Sequence, residues 1–124
     1  MITYNRLETS YVMGIGSIPA MEYLQSLNKK ISAKVFSEIE LLEKHGFDLR
    51  EPYVKPIRGK RYKGIYELRT KQSSNIIRTL YFFYRERKFI LLHGFTKKTD
   101  AIPVNELEQA LRYIEDYRRR TDNE

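Results

Sequence analysis

Three runs rich in β-branched and aromatic residues, Tyr62 to Arg69, Ile76 to Tyr84 and Lys88 to Phe95, are separated by breaks of only six and three residues. Links that short cannot hold the crossover that parallel pairing requires, so the three runs are antiparallel neighbours in one sheet. Everything else in the chain has to pack around them. Ahead of the sheet, Ile31, Val35, Ile39 and Leu42 recur at helical spacing, with Phe36 and Leu41 beside them. That stripe predicts a helix over 30–45, wide enough to lie on a sheet and closed by Gly46. Ser17 as N-cap and Pro19 in the first turn open a shorter helix over 19–27, and Asn28 interrupts the two. The pair reads as an αα-hairpin.

The remaining segments are weaker. Ile2-Thr3-Tyr4 and Tyr11-Val12-Met13 are expected as short strands. Residues 46–61, with Pro52, Pro56 and Gly59, form a non-helical connection. Thr96 to Pro103 reads as a polar loop. Pro103 opens a last helix carrying Leu107, Leu111, Ile114 and Tyr117, with Arg118-Arg119-Arg120 fraying. The expected architecture is one α+β domain over 1–124, in two layers. The helical hairpin packs on the antiparallel sheet, a C-terminal helix follows, and one sheet face stays open for a site.

Composition narrows the chemistry. A chain of 124 residues can bury a core without staples, and it has no cysteine for a disulfide framework or a thiol nucleophile. Two histidines, His45 and His93, leave little room for a histidine-rich metal site. There is no apolar run of membrane-spanning length and no signal-like start, so a cytoplasmic protein is expected, with no membrane and no cofactor. Charge is more telling. Residues 61–99 carry 10 basic and 2 acidic side chains, while the whole chain carries +7. That local excess is the footprint of a polyanion binder or, more plainly, a solvated basic face.

Arg78 stands alone in an apolar strand. It is either a phosphate ligand on the open face or half of an ion pair with Glu67 on the preceding strand. Arg69 and Lys71 end the first strand, Arg78 begins the second, and Lys97 and Lys98 follow the third. Antiparallel pairing brings these ends together as a phosphate trap. Tyr62, Tyr66, Tyr81 and Tyr84 are core residues or, where exposed, stacking surfaces for unpaired bases. His93 is a general acid or base near neutral pH, or a satisfied structural histidine. The inventory holds no glycosidase carboxylate pair, Gly-rich nucleotide loop or Ser–His–Asp set. It points to RNA chemistry in which the substrate supplies its own 2′-hydroxyl nucleophile and no metal is needed.

The runs Gly64-Ile65-Tyr66-Glu67-Leu68-Arg69, Arg78-Thr79-Leu80-Tyr81-Phe82-Phe83 and Leu91-Leu92-His93-Gly94-Phe95-Thr96-Lys97-Lys98-Thr99 together resemble the HigB toxins, the phage-derived branch of the RelE/ParE superfamily. Pro19 with Tyr23-Leu24, His45-Gly46, Lys55-Pro56-Ile57 and the helix after Pro103 extend the resemblance over roughly residues 17–118. It implies a RelE-like fold and a ribosome-dependent endoribonuclease that cleaves mRNA in the A site. The 2′-hydroxyl attacks the adjacent phosphate and leaves a 2′,3′-cyclic phosphate. By resemblance Arg69, Arg78, Lys98 and His93 are the catalytic candidates, and Arg61, Tyr62, Lys71 and Lys97 are contacts to RNA. Tyr113 or Tyr117 is the candidate for stacking on the substrate base. The implied partner is a HigA-like helix-turn-helix antitoxin, with operator DNA bound only by the complex. The alternatives are a ParE-like toxin that inhibits DNA gyrase by protein contact, and a non-catalytic module that docks on RNA or ribosomes.

Overall fold

The structure is a computed structural model, and it describes residues 8–11, 19–72, 75–84, 88–97 and 101–122. Three long strands form its centre: β3 (Ile65–Gln72), β4 (Asn75–Tyr84) and β5 (Lys88–Lys97). They are antiparallel, as the short links demand, with Glu67 opposite Leu80 and Leu80 opposite His93. A short strand, β2 (Val54–Pro56), adds antiparallel to β3 within the segment expected to be irregular. At the far edge β1 (Glu8–Tyr11) pairs parallel with β5. The long stretch of chain between β1 and β5 supplies the crossover that a parallel pair requires. The sheet order is therefore β1-β5-β4-β3-β2. Of the strand expected at Tyr11-Val12-Met13, Tyr11 ends β1, while Val12-Met13 lie outside the described residues, as do Ile2-Thr3-Tyr4 and the Ser17 cap.

The helical hairpin forms as the periodicity predicts: α1 spans Pro19–Ser26 and α2 spans Lys29–His45. Asn28 does more than interrupt them, because its side chain accepts a hydrogen bond from the Ile31 amide and caps α2. Gly46 closes α2 at a φ of 56°, a conformation that glycine adopts without steric penalty. Val35, Ile39 and Leu42 bury against Leu68, Ile77, Tyr81, Phe89 and Leu91 of the sheet. Thr70 donates to the buried Glu38 carboxylate at 2.7 Å and ties α2 to β3.

The α+β layout forms as expected, but the sheet face expected to stay open is partly covered. The last helix, α3 (Val104–Asp122), lies across it and packs Leu107 and Ala110 on Ile65, Leu80, Phe82, Ile90 and Leu92. Arg118-Arg119-Arg120 stay helical, held in part by Arg119 and Arg120 on Asp116. A bulge then decides what faces α3. Leu80 pairs with His93 but Tyr81 pairs with Leu91, leaving Leu92 as an extra residue in β5. Strict alternation would put His93 on the side of Phe89 and Leu91; the bulge turns it to α3.

Candidate nucleic-acid interface

On the α3 face, register aligns the sequence-predicted residues in cross-strand rows. One row is Lys55, Glu67, Leu80 and His93. The next is Arg69, Arg78 and Phe95, and the third is Lys71, Ile76 and Lys97. Successive rows lie two residues apart along each strand, about 7 Å at the usual rise. The convergence expected at the strand ends therefore forms for Arg69, Lys71, Arg78 and the backbone of Lys97. Lys98 lies outside the described residues.

The centre of this surface is a carboxylate shared by two guanidiniums. Glu67 Oε2 meets Arg78 Nη1 at 3.2 Å, and Glu67 Oε1 meets Arg69 Nε at the same distance. The Arg69 contact is an ion pair without hydrogen-bond alignment at Nε. Glu67 is 2% exposed and Arg78 1% exposed. The open-face placement of Arg78 is therefore corrected: it is buried, and the ion pair with Glu67 is the arrangement that forms. A lone guanidinium in this environment would be too costly, and the cross-strand carboxylate supplies its counter-charge. Arg69 is the better exposed of the two arginines. Burial pushes the Glu67 carboxyl above the usual carboxylate range, opposed by the pull of Arg78, Arg69 and then Lys55.

Glu67 also forms part of the wall of a cleft of about 250 Å³. Lys55, Pro56, Ile57 and Arg58 line it with Ile102, just ahead of α3, and Leu107 in the first turn of α3. Lys55 and Arg58 are site residues that the charge reading passed over. The available signal was Lys55-Pro56-Ile57, but a three-residue strand between prolines gives no periodicity to read. A larger groove of about 470 Å³ is lined mostly by apolar side chains, among them Phe47, Leu49, Val54 and Tyr66, and lacks a cation cluster.

His93 is buried beside this region. Its ring packs on Tyr113 at 5.5 Å, and Nε2 stands 3.4 Å from Glu106 Oε2 without forming a hydrogen bond. Burial lowers its pKa to about 4. Glu106 would favour the charged form, but its side chain is partly solvated and the loss of water around the imidazole outweighs it. His93 is thus neutral at neutral pH, which corrects the expectation of a group titrating there. Both ring nitrogens are shut away from solvent without a hydrogen-bond partner, and the low pKa makes the imidazole a weak base.

The remaining candidates are occupied elsewhere. Arg61 makes a bidentate pair with Glu108 of α3, and the Tyr62 hydroxyl donates to the same carboxylate at 2.6 Å. These bonds hold the Glu108 carboxyl down at about 2. Neither side chain is presented as a free RNA contact. Tyr66 and Tyr81 stack on each other in the α2-side core, and Tyr84 packs edge-on against Tyr117. These tyrosines are core residues, and Tyr117 belongs to the same aromatic cluster as Phe82.

No described helix is long and apolar enough to cross a membrane. A family model described as "Phage derived protein Gp49-like (DUF891)" matches residues 22–115. No curated protein matches the chain.

Proposed function

The chain belongs to the phage-derived Gp49-like family, and from that premise we propose that it is the toxin of a type II toxin–antitoxin pair, an endoribonuclease of RelE/HigB type acting on mRNA at the ribosome. The observation that carries the reading is the cleft where Glu67 gathers Arg69 and Arg78 beside Lys55 and Arg58. Four cations around one carboxylate leave a strong positive excess where a phosphodiester would sit.

In this reaction the 2′-hydroxyl oxygen attacks the neighbouring phosphorus and loses its proton. The bond to the 5′-oxygen breaks, and that oxygen takes up a proton as it leaves. The products are a 2′,3′-cyclic phosphate and a 5′-hydroxyl. Cations fixed before substrate arrives stabilise the extra charge on the phosphorane, a kind of contribution often worth about 10²–10³ in rate for a single donor. Arg69 is the partly exposed arm of this arrangement. Arg78 acts from behind through Glu67, and Lys97 at the end of β5, with Lys98 after it in sequence, adds to the same positive charge. A lysine of the Lys97-Lys98 pair suits return of a proton to the leaving 5′-oxygen, and the 2′-hydroxyl proton passes to water. His93, with both ring nitrogens buried and a pKa of about 4, is a weak acceptor and supports the site from behind. The partner in this reading is a HigA-like helix-turn-helix antitoxin, and operator DNA is bound through the complex.

Brief expression without a partner should stop growth and cut mRNA within codons, read by primer extension. A gyrase supercoiling assay run in parallel gives the opposing result: intact transcripts with blocked supercoiling would overturn the nuclease reading in favour of a ParE-like toxin.

A further inference from the structure

We infer that Lys55 and Arg58 form a second phosphate subsite, so that a single RNA strand runs along β3 with successive phosphates on successive cross-strand rows. This rests on the proposed ribonuclease reading for the identity of the polyanion, and it adds a direction and a footprint.

The first observation is the row spacing. Lys55 lies opposite Glu67, and the Arg69–Arg78 row is two residues further along β3. Lys71 lies two residues beyond that, exposed, on the same face. At a rise of about 3.3 Å per residue the rows repeat every ~7 Å, comparable to the spacing of phosphates in an extended single strand. A duplex is too bulky to enter a cleft of about 250 Å³ beside the start of α3.

The second observation is charge accounting. Glu67 is engaged by Arg78 and Arg69, which leaves Lys55 and Arg58 with no ion pair among the described residues. Arg58 is exposed and Lys55 half-buried, both on the cleft wall. Lys55 shares the single Glu67 charge with two arginines and Arg58 adds a further cation, so the cleft wall carries a net positive charge that an anion relieves. Ile57, Ile102 and Leu107 give the same cleft apolar surface on which a base can rest. Arg61, by contrast, is neutralised by Glu108 and adds no phosphate contact.

The test measures binding, so it does not depend on cleavage. A labelled hexanucleotide of 2′-fluoro RNA lacks the 2′-nucleophile and remains intact. Its affinity for the full chain is followed by fluorescence polarisation across a salt series. For a single strand each phosphate contact contributes about −0.7 to the slope of log K against log salt. Lys55→Gln combined with Arg58→Gln should make the slope shallower by about 0.7. Lys30→Gln, on α2 across the sheet, should leave it unchanged. The exchange Lys55→Arg with Arg58→Lys should restore the wild-type slope, and Arg58→Gln alone should weaken binding in a protein that melts normally. An unchanged slope in the folded double variant would overturn the subsite, as would salt-independent binding by the wild type. A shallower slope in the variant, with no mRNA cleavage by the wild type, would support the subsite and remove only the nuclease reading.

Discussion

Arg78 and Glu67 are the residues on which the face depends. Neither tolerates its position alone: each is nearly inaccessible to water, and each neutralises the other across a strand pair. Removing one member of a buried pair generally costs more than the pair contributes, because the survivor keeps its charge without a partner. Glu67→Gln preserves shape and should lower unfolding stability by about 3 kcal/mol in urea titration, at the low end of the usual range since Arg69 retains some solvent. Arg78→Ala should cost a similar amount, so loss of toxicity in that variant has to be read beside its melt. His93 gives a second residue-scale expectation. Its folded pKa, about 4, lies below its ordinary value of 6.5. The folded state binds fewer protons between those values, so His93's contribution to stability is full above about pH 6.5 and is lost as pH falls towards 4. At 1.36 kcal/mol per pH unit the loss amounts to about 3 kcal/mol. Glu67 and Glu38 have raised values and act in the opposite sense as they take up protons. The check is therefore the difference between wild type and His93→Gln across that window; parallel stability curves would exclude the assignment.

At the scale of elements, α1 and α3 are each fastened to the sheet by a small set of side chains. Gly94 of β5 lies under Tyr23 of α1, whose hydroxyl is hydrogen-bonded to Thr96. A Cβ at position 94 would overlap the Tyr23 ring and stand 3.1 Å from the Arg78 carbonyl. Gly94→Ala should therefore displace α1 and cost about 1–3 kcal/mol, the usual range for overpacking; an unchanged melt would show that the ring gives way freely. The α3 attachment to the sheet is apolar, and a polar clasp adds to it, in which Glu108 holds Arg61 and Tyr62 of the turn before β3. Glu108→Gln removes the charge that neutralises Arg61 and should tighten binding to single-stranded RNA, with a steeper salt slope. Unaltered binding would mean that Arg61 stands clear of the RNA path even when released.

Over the whole molecule, two helical layers clamp a sheet whose edges are short: three residues at β2 and four at β1. Brief edge strands limit the backbone that is free to template another chain. Deleting residues 1–11 would remove β1 and bare one edge of β5, a long strand containing Phe89-Ile90-Leu91-Leu92. The truncated chain should self-associate, measured by light scattering against full-length protein at equal concentration. A monodisperse truncation would show that α1 alone protects that edge. The clamp also explains why the site is a cleft rather than an open platform: α3 covers the apolar part of its face, and Leu107 of its first turn lines the cleft with Lys55, Arg58 and Glu67.

What the chain alone settles is whatever covalent geometry makes local. Links of six and three residues compel antiparallel pairing, the apolar spacing of 30–45 produces α2, and Gly46 ends it. The gathering of Arg69, Lys71, Arg78 and the backbone of Lys97 into adjacent rows follows from the same short links. The tertiary structure decided the rest, because each remaining outcome depends on partners distant in sequence. Burial of Arg78 depends on Glu67, eleven residues away, whose carboxylate only strand pairing brings to it. The direction of His93 turned on one extra residue in β5, a bulge that only pairing with β4 reveals. Lys55 became a wall of the cleft because a strand too short to show alternation found β3. Arg61 and Tyr62 lost their expected freedom to Glu108, 47 and 46 positions away, an attraction that appears only once α3 has docked.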